Sequence, residues 1–432
     1  MSVDLQLRFD REAITQYSKA NQEPAWFLES RLAAFDACAK LELPKLEKTK
    51  IDKWNYEQFL PFVTQDKITN ADALDEVVKA EIDVTAVKNL LVQKNASVIY
   101  HQSAAEVSDQ GVIFTDLATA LREHGDLVQK YWMKAVAADE HKLASLHAAL
   151  VNGGVFIYVP KNTEVELPLQ AVYQLAGDDA LLCPHILIVA EANSKVTYVD
   201  TYVSSEGKSM VANSIVEVFV GAGASVQLAS VRSFSTEVHD YTFRRAIVDR
   251  DGKIEWILGE MNDGNTVANN TSVLKGTGSS VDTKTVSVGI GSQRQNLTSQ
   301  VTHIGTHTES QMTSKAVMTD EATTILNGIT KIEKGAEKAN GEQGERILML
   351  SEKARGDANP ILLIDEDDVK AGHAASVGRI SEESVYYLMS RGITRKEAER
   401  LIVLGFLDSI VSEIPIEEVK NRLRQALERK LA

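Results

Sequence analysis

His373 is the residue whose type and setting best suit binding or proton chemistry. Four acidic residues occupy positions 365–368, and Gly372, Ala374 and Ala375 surround the imidazole with little bulk. An imidazole titrates near neutral pH and is a common metal ligand. Small neighbours leave space for a ligand or a second backbone to approach. A lone histidine is more often structural, so both interpretations stay open on this pattern alone.

A second pair of histidines, His303 and His307, has a spacing that would bind a metal ion on a helix. The surrounding residues alternate as in a β-strand, where four residues span about 13 Å. That separation is too large for one ion. We therefore expect two structural histidines.

The motifs of hydrolases and nucleotide-binding proteins are incomplete in this chain. Cys183 lies two residues before His185, but the apolar surroundings favour a buried thiol over a nucleophile. Gly207–Ser209 resembles the end of a phosphate-binding loop, yet Tyr202 stands where the first glycine is required. The same segment lies between strand-like runs. We expect a turn there, no nucleotide bound by this chain and no independent catalysis.

The composition argues against nucleic-acid-binding, disulfide-rich, secreted and membrane proteins. The chain has 432 residues, 44% of them hydrophobic, and a formal charge of −15. An acidic surface repels nucleic acid. Two distant cysteines form no disulfide framework, and neither a signal-like start nor a long apolar run is visible. These features predict a cytoplasmic protein that binds neither nucleic acid nor membrane.

A long β region carries the clearest repeat. A polar or glycine-rich turn precedes a β-branched residue at Val165, Val196, Val226, Ile254 and Val281, at intervals of 31, 30, 28 and 27 residues. A loose period near thirty without helices favours a β-solenoid. A β-sandwich is the alternative, with turns every ~8–12 residues.

Helical patterns flank this region. Near the N-terminus, a helix is expected just after Pro24 and another over Asp72–Leu91. Near the C-terminus, Thr394–Glu397 forms a capping box, and Gly405 is expected to end that helix. A last helix is expected after Pro415, with an apolar stripe of Ile416, Val419, Leu423, Leu427 and Leu431. These patterns divide the chain into an N-terminal helical and mixed α/β region (1–150), a long β core (151–380) and a C-terminal helical domain (381–432).

Three long segments near the C-terminus comprise residues 347–360, 368–378 and 386–393. Together they resemble the C-terminal signature of the SufB/SufD family of iron–sulfur cluster assembly scaffold proteins. Further matches lie upstream, so the resemblance covers almost the whole chain. SufB-type chains have a cysteine in the segment that matches Glu342–Leu348, whereas no cysteine follows Cys183 here, which favours the SufD type. The further matches are 23–28, 153–160, 307–310 and 327–328.

The resemblance implies a fold and a function. The family has a right-handed parallel β-helix between N-terminal and C-terminal helical regions. A SufD-type subunit pairs with a SufB-type subunit and binds the ABC-type ATPase SufC, without being an enzyme itself. A transient iron–sulfur cluster forms at the interface between the two scaffold subunits. A homodimer is expected when the partner is absent.

The resemblance also implies site residues. The family's functional histidine corresponds to His373, which would be a metal or nascent-cluster ligand facing the partner. Some members have a cysteine two positions earlier, where this chain has Ala371, so thiolates would have to come from the partner. ATPase docking would fall on the C-terminal helical domain; the alternative is that its aromatic residues pack its own core. The docking candidates are Tyr386, Tyr387, Met389, Arg391 and Ile393.

Two other functions stay open at this point. One is a SufB-like scaffold that assembles clusters as a homodimer. The other is a β-helix enzyme acting on polysaccharide, which a secretion signal and a carboxylate-rich coil face would favour; neither feature is visible.

Overall fold

Two long β-sheets wind into a solenoid in the computed structural model, which describes residues 8–83, 86–412 and 417–431. Its strands in chain order are β1 (Leu90–Lys94), β2 (Ser97–Gln102), β3 (Ile113–Asp116), β4 (Gly153–Val159), β5 (Leu169–Leu175), β6 (Leu181–Leu182), β7 (Pro184–Ala190), β8 (Lys195–Ser204), β9 (Met210–Val220), β10 (Ser225–Ser233), β11 (Val238–Val248), β12 (Lys253–Glu260), β13 (Thr266–Leu274), β14 (Ser280–Gly289), β15 (Arg294–His303), β16 (Glu309–Met318), β17 (Thr323–Ile332), β18 (Asn340–Met349), β19 (Arg355–Ile364) and β20 (Lys370–Arg379).

Helices stand before and after the solenoid. The helices in chain order are α1 (Arg11–Ala20), α2 (Ala25–Cys38), a short 3₁₀ turn (Ala71–Ala73), α3 (Glu76–Glu81), α4 (Ala105–Asp109), α5 (Leu117–Glu123), α6 (Gly125–Tyr131), α7 (Lys142–Leu150), α8 (Glu382–Ser390), α9 (Arg395–Val411) and α10 (Glu417–Leu431).

The strands form about eight coils. The first sheet has the order β2-β1-β5-β8-β10-β12-β14-β16-β18-β20, and the second has the order β19-β17-β15-β13-β11-β9-β7-β4-β3. Neighbours from β4 and β5 onward pair in parallel, which confirms the parallel β-helix and shows that the β-sandwich alternative is wrong. Strands β1–β3 lie in the predicted first region yet extend the starting ends of both sheets.

Each repeat of about thirty residues in the sequence corresponds to one coil of the solenoid. Val196 pairs with Val226, Val226 with Ile254, and Ile254 with Val281, so the repeated β-branched positions stack laterally. The backbone N–H of Val165 donates to Lys195 O over 2.9 Å and begins the same column. Stacking identical apolar positions buries a continuous core that no single coil could bury.

The interior holds buried ion pairs as well as apolar residues. Arg232 pairs with Asp240 at 2.6 Å, and Arg244 pairs with Glu260 at 3.0 Å, all with side chains at most 2% exposed. Such pairs cost much to desolvate and are tolerated only when matched.

The N-terminal helices cover the outer face of the second sheet. Glu217, fully buried on β9, accepts backbone N–H groups from Met133, Ala135 and Val136 at 2.8, 2.5 and 2.9 Å. Its Oε2 also lies 3.1 Å from His185 Nε2. This one carboxylate therefore fixes the loop after α6 to the solenoid.

We expect Glu217→Gln to lower the free energy of unfolding by about 3 kcal/mol, because three buried N–H donors lose their charged acceptor. Urea denaturation measures this change in the free energy of unfolding. The matched control is Glu164→Gln, in the exposed pair with Lys195, where about 0.5 kcal/mol is expected. Equal effects in the two variants would contradict the anchoring role of Glu217.

The C-terminal helices α9 and α10 cover the outer face of the first sheet. Val403, Leu407 and Leu423 pack there against sheet residues such as Ile257 and Val286. Basic side chains add polar links: Lys315 Nζ donates to Phe406 O at 2.7 Å, and Arg422 donates to Thr201 Oγ1 and to Gln170 Oε1, each at 2.7 Å. The last two helices are thus attached along the solenoid.

The helix predicted over Asp72–Leu91 is wrong. The chain there forms the 3₁₀ turn and the short α3, and Leu90 opens β1. Leu74, Val78 and Ile82 belong to one buried cluster with Leu90, so their helix-like spacing reflects a shared core. Pairing of β1 with β5 overrides local propensity.

The helix stop predicted at Gly405 is also wrong, whereas the Thr394 half of the predicted capping box is confirmed. Thr394 Oγ1 accepts from the N–H of Glu397 at 3.3 Å. Helix α9 continues through Gly405 to Val411, because the buried Val403 and Leu407 hold both sides of the glycine against the sheet. That packing outweighs a penalty of about 1 kcal/mol for a mid-helix glycine. Pro415, expected just before the last helix, lies outside the described residues, as do Ile416 and the side chain of Leu431, both expected in its apolar stripe.

Candidate functional site

His373 lies on the last strand of the first sheet, and the far edge of that strand is unpaired by the described residues. β20 pairs only with β18, where Gln343 is opposite His373. The N–H groups of Lys370 and Ile380 donate to Ala339 O and Met349 O on the β18 side. Because backbone groups alternate sides along a strand, the N–H of His373 faces the free edge.

The second sheet ends in the same way at β19. The N–H groups of Arg355 and Asp365 donate to Ala322 O and Ile332 O toward β17. The alternate residues face outward, and Pro360 is one of them. Proline has no N–H to donate, which suits an edge position. We call the free edges of β19 and β20 together the open end; unpaired edges of this kind are templates for another chain.

The side chain of His373 points toward the solenoid interior at the open end. Residues in register share a sheet face, and its partner Gln343 is buried inside, 3.2 Å from Thr330 Oγ1 of the opposite sheet. His373 itself is exposed, since no further coil covers it. An imidazole accessible from outside and backed by a polar interior can bind a metal ion or a cluster brought by another chain.

Glu345 is a further polar group on this interior face that sequence reasoning missed. It pairs with Ala375 and is only 2% exposed. Gly328 faces it across the interior, where an added Cβ would lie 1.9 Å from Glu345 Oε1. Oε2 has no hydrogen-bond partner among the described residues, and burial raises the pKa of the carboxyl to about 7. Only the strand register, which the sequence pattern did not provide, places this residue near His373.

Large apolar side chains are exposed at the open end. Leu363 and Ile364 on β19 are 47% and 42% exposed, and Val377 on β20 is 43% exposed. Exposed apolar groups beside a free edge are typical of a surface that another protein covers.

A second exposed surface lies on α8. Tyr386, Tyr387 and Met389 are 72%, 58% and 42% exposed, whereas Val385 is fully buried and anchors the helix. Arg391 lies over the Tyr387 ring, 5.2 Å from its centroid. The tyrosines and Met389 therefore do not pack the domain's own core. Ile393 is half-buried. We call Tyr386, Tyr387 and Met389 the α8 surface.

The remaining residues considered from the sequence have structural roles, in a buried hydrogen-bond network or in turns. His303 is buried at the end of β15, with its ring nitrogens 2.8 and 2.9 Å from the hydroxyls of Thr308 and Ser310. His307 lies in the following turn with φ 56°, not on the same strand as expected. Gly207–Ser209 form the turn between β8 and β9, as predicted, where a Cβ on Gly207 would lie 2.6 Å from Gly177 O.

Neither cysteine is near the surface. Both are buried and free, and burial raises the pKa of Cys38 to about 11 and that of Cys183 as well. Cys183 Sγ lies 3.4 Å from His147 Nδ1, and His147 Nε2 lies 3.1 Å from His185 Nδ1. Over residues 8–83, 86–412 and 417–431, no three His, Cys, Asp or Glu side chains come together to hold a metal ion.

Comparison with known proteins identifies the family. The model of the SufBD protein N-terminal region matches residues 13–171, and that of the SUF system FeS cluster assembly SufBD core domain matches residues 173–406. An iron–sulfur cluster assembly protein SufD of Bacillus subtilis is 51% identical over 436 residues, covering 100% of both chains. The chain belongs to the SufB/SufD family.

Within the SufB/SufD family, the chain is of the SufD type. The iron–sulfur cluster assembly protein SufB of Bacillus subtilis is only 26% identical, over 94% of this chain and 90% of its own. A SufBD family protein of Staphylococcus epidermidis is 28% identical, over 94% and 89%. None of the helices in the described part of the chain combines the length and apolar character that a membrane span needs.

Proposed function

We propose that this chain is a cytoplasmic, non-enzymatic scaffold subunit that pairs with a SufB-type chain through its open end and binds a SufC-type ATPase through its C-terminal helices. A nascent iron–sulfur cluster, the cargo of the assembly, forms at the open end with His373 as one ligand. The exposed imidazole beside two free strand edges is the observation that carries this proposal.

The chemistry of the site supports a shared rather than a self-contained centre. Imidazole suits iron, and clusters with mixed cysteine and histidine ligands exist. This chain's own thiols are buried away from solvent, so thiolates would come from the partner. The free edges supply backbone groups for strand pairing, and Leu363, Ile364 and Val377 supply apolar area.

Co-expression with a SufB-type and a SufC-type chain tests the assembly. We expect one stable complex that contains all three proteins on size-exclusion chromatography, and ATP hydrolysis only when the SufC-type chain is present. A complex of the other two chains that excludes this one would refute the proposed scaffold role.

We propose that the α8 surface, together with Arg391 and Ile393, docks the ATPase. Tyr386→Ala is expected to weaken ATPase capture by at least about tenfold, since exposed aromatic residues often dominate interfaces. The free energy of unfolding is expected to stay within about 0.5 kcal/mol because Tyr386 is 72% exposed. Surface plasmon resonance against the SufC-type chain measures the affinity.

The matched control for the docking test is Leu167→Ala, which also removes an exposed apolar side chain, 41% exposed, but at the opposite part of the solenoid. We expect no change in ATPase affinity for it. Equal affinities of the Tyr386 variant and the control would place the docking surface elsewhere.

A further inference from the structure

Glu345 is a buried carboxyl without a counter-ion among the described residues. Its Oε2 lacks a hydrogen-bond partner, and no ion pair to it occurs among the described residues. Elsewhere in the interior, Asp240 and Glu260 each have an arginine as counter-ion, although Glu260 Oε2, too, has no hydrogen-bond partner among the described residues. A buried carboxyl without a counter-ion is costly, and a bound cation would remove that cost.

The position of Glu345 relative to His373 indicates a metal ion shared by the two side chains. Gln343 is opposite His373 and Glu345 is opposite Ala375, so Glu345 and His373 are diagonal neighbours on the same inner face. Strands about 4.8 Å apart and two residues of rise place their Cα atoms about 8 Å apart. Two inward-pointing side chains of this length can reach one ion between them.

Small residues adjoin the Glu345 side chain on two sides. Ala375, directly next to Glu345 on the last strand, contributes only a methyl group toward His373. On the opposite sheet, the absence of a side chain on Gly328 makes room for the Glu345 carboxyl itself. A larger residue at position 328 would collide with the Glu345 carboxyl.

We infer that Glu345 and His373 supply two donors of a divalent transition-metal site at the open end, completed by the partner subunit. A carboxylate oxygen and an imidazole nitrogen are a donor pair that ferrous iron and its divalent analogues accept. The cation balances the buried charge and occupies the free oxygen of Glu345. This inference rests on the proposed function and adds a ligand to it.

Cobalt(II) titration of the metal-free complex with the SufB-type subunit tests the inference, with the visible absorption of the bound ion as the readout. We expect Glu345→Gln to weaken cobalt binding by about tenfold or more and to change the spectrum, and His373→Ala to do the same. The matched control is Glu342→Gln, an exposed carboxylate of the same strand that faces outward; it should bind as the wild type does.

The outcomes separate the inference from the function it rests on. Wild-type binding by Glu345→Gln together with weak binding by His373→Ala would overturn the role of Glu345 and leave the proposed site intact. Wild-type binding by both variants would overturn the site itself. If Glu345→Gln does not fold, Glu345→Asp replaces it in the test. A folded Glu345→Asp variant with weakened cobalt binding supports the inference, and unchanged cobalt binding refutes it.

Discussion

His373→Ala is expected to lower the iron and sulfide content of the assembled complex by roughly tenfold, the lower range for loss of a group that supports a metal. The imidazole is a side chain of a metal-ligating type, and it lies exposed on the last strand at the open end. Chemical analysis of iron and acid-labile sulfide after anaerobic purification measures the effect.

The same substitution should leave the chain folded. His373 is exposed and its side chain closes no part of the core, so the free energy of unfolding should change by less than about 0.5 kcal/mol. The control is Ser376→Ala, an exposed polar residue of the same strand that faces outward. Wild-type iron and sulfide in the His373 variant would contradict the proposed ligand role.

Leu363→Asp is expected to weaken pairing with the SufB-type subunit by at least tenfold, about 1.4 kcal/mol. Leu363 is 47% exposed on the free edge of β19, and pairing would place a new charge in an apolar, desolvated contact. Sedimentation velocity with both scaffold subunits measures the loss of the heterodimer. The isolated chain should stay folded, because the side chain is already in water.

The control for the pairing test is Leu167→Asp, which places the same charge at a residue 41% exposed, far from the open end. It should pair as the wild type does. If the two variants pair equally well, the partner does not cover β19.

Much of the solenoid could be predicted because its repeat is local. Each coil begins with a polar turn and a β-branched residue, so the column from Val196 to Val281 is visible in the sequence and in the register. The stretch Asp72–Leu91 could not be predicted in this way, since pairing of β1 with the distant β5 decides its structure.

The candidate site, too, could be predicted only in part from the sequence. His373 stands out in the sequence because small residues surround it and because the family resemblance marks it. Glu345 does not stand out, since its importance comes from facing Gly328 across the interior and sharing a face with His373. The exposure of Tyr386 and Tyr387 likewise depends on how α8 lies on the fold.

The measurement that tests the central proposal most directly is anaerobic capture of the tagged chain from a lysate of its native cells, followed by mass spectrometry. We predict recovery of an ABC-type ATPase and of a second β-helical chain that has a cysteine near its own open end. Recovery of the chain alone, or with unrelated proteins, would contradict the proposed assembly role.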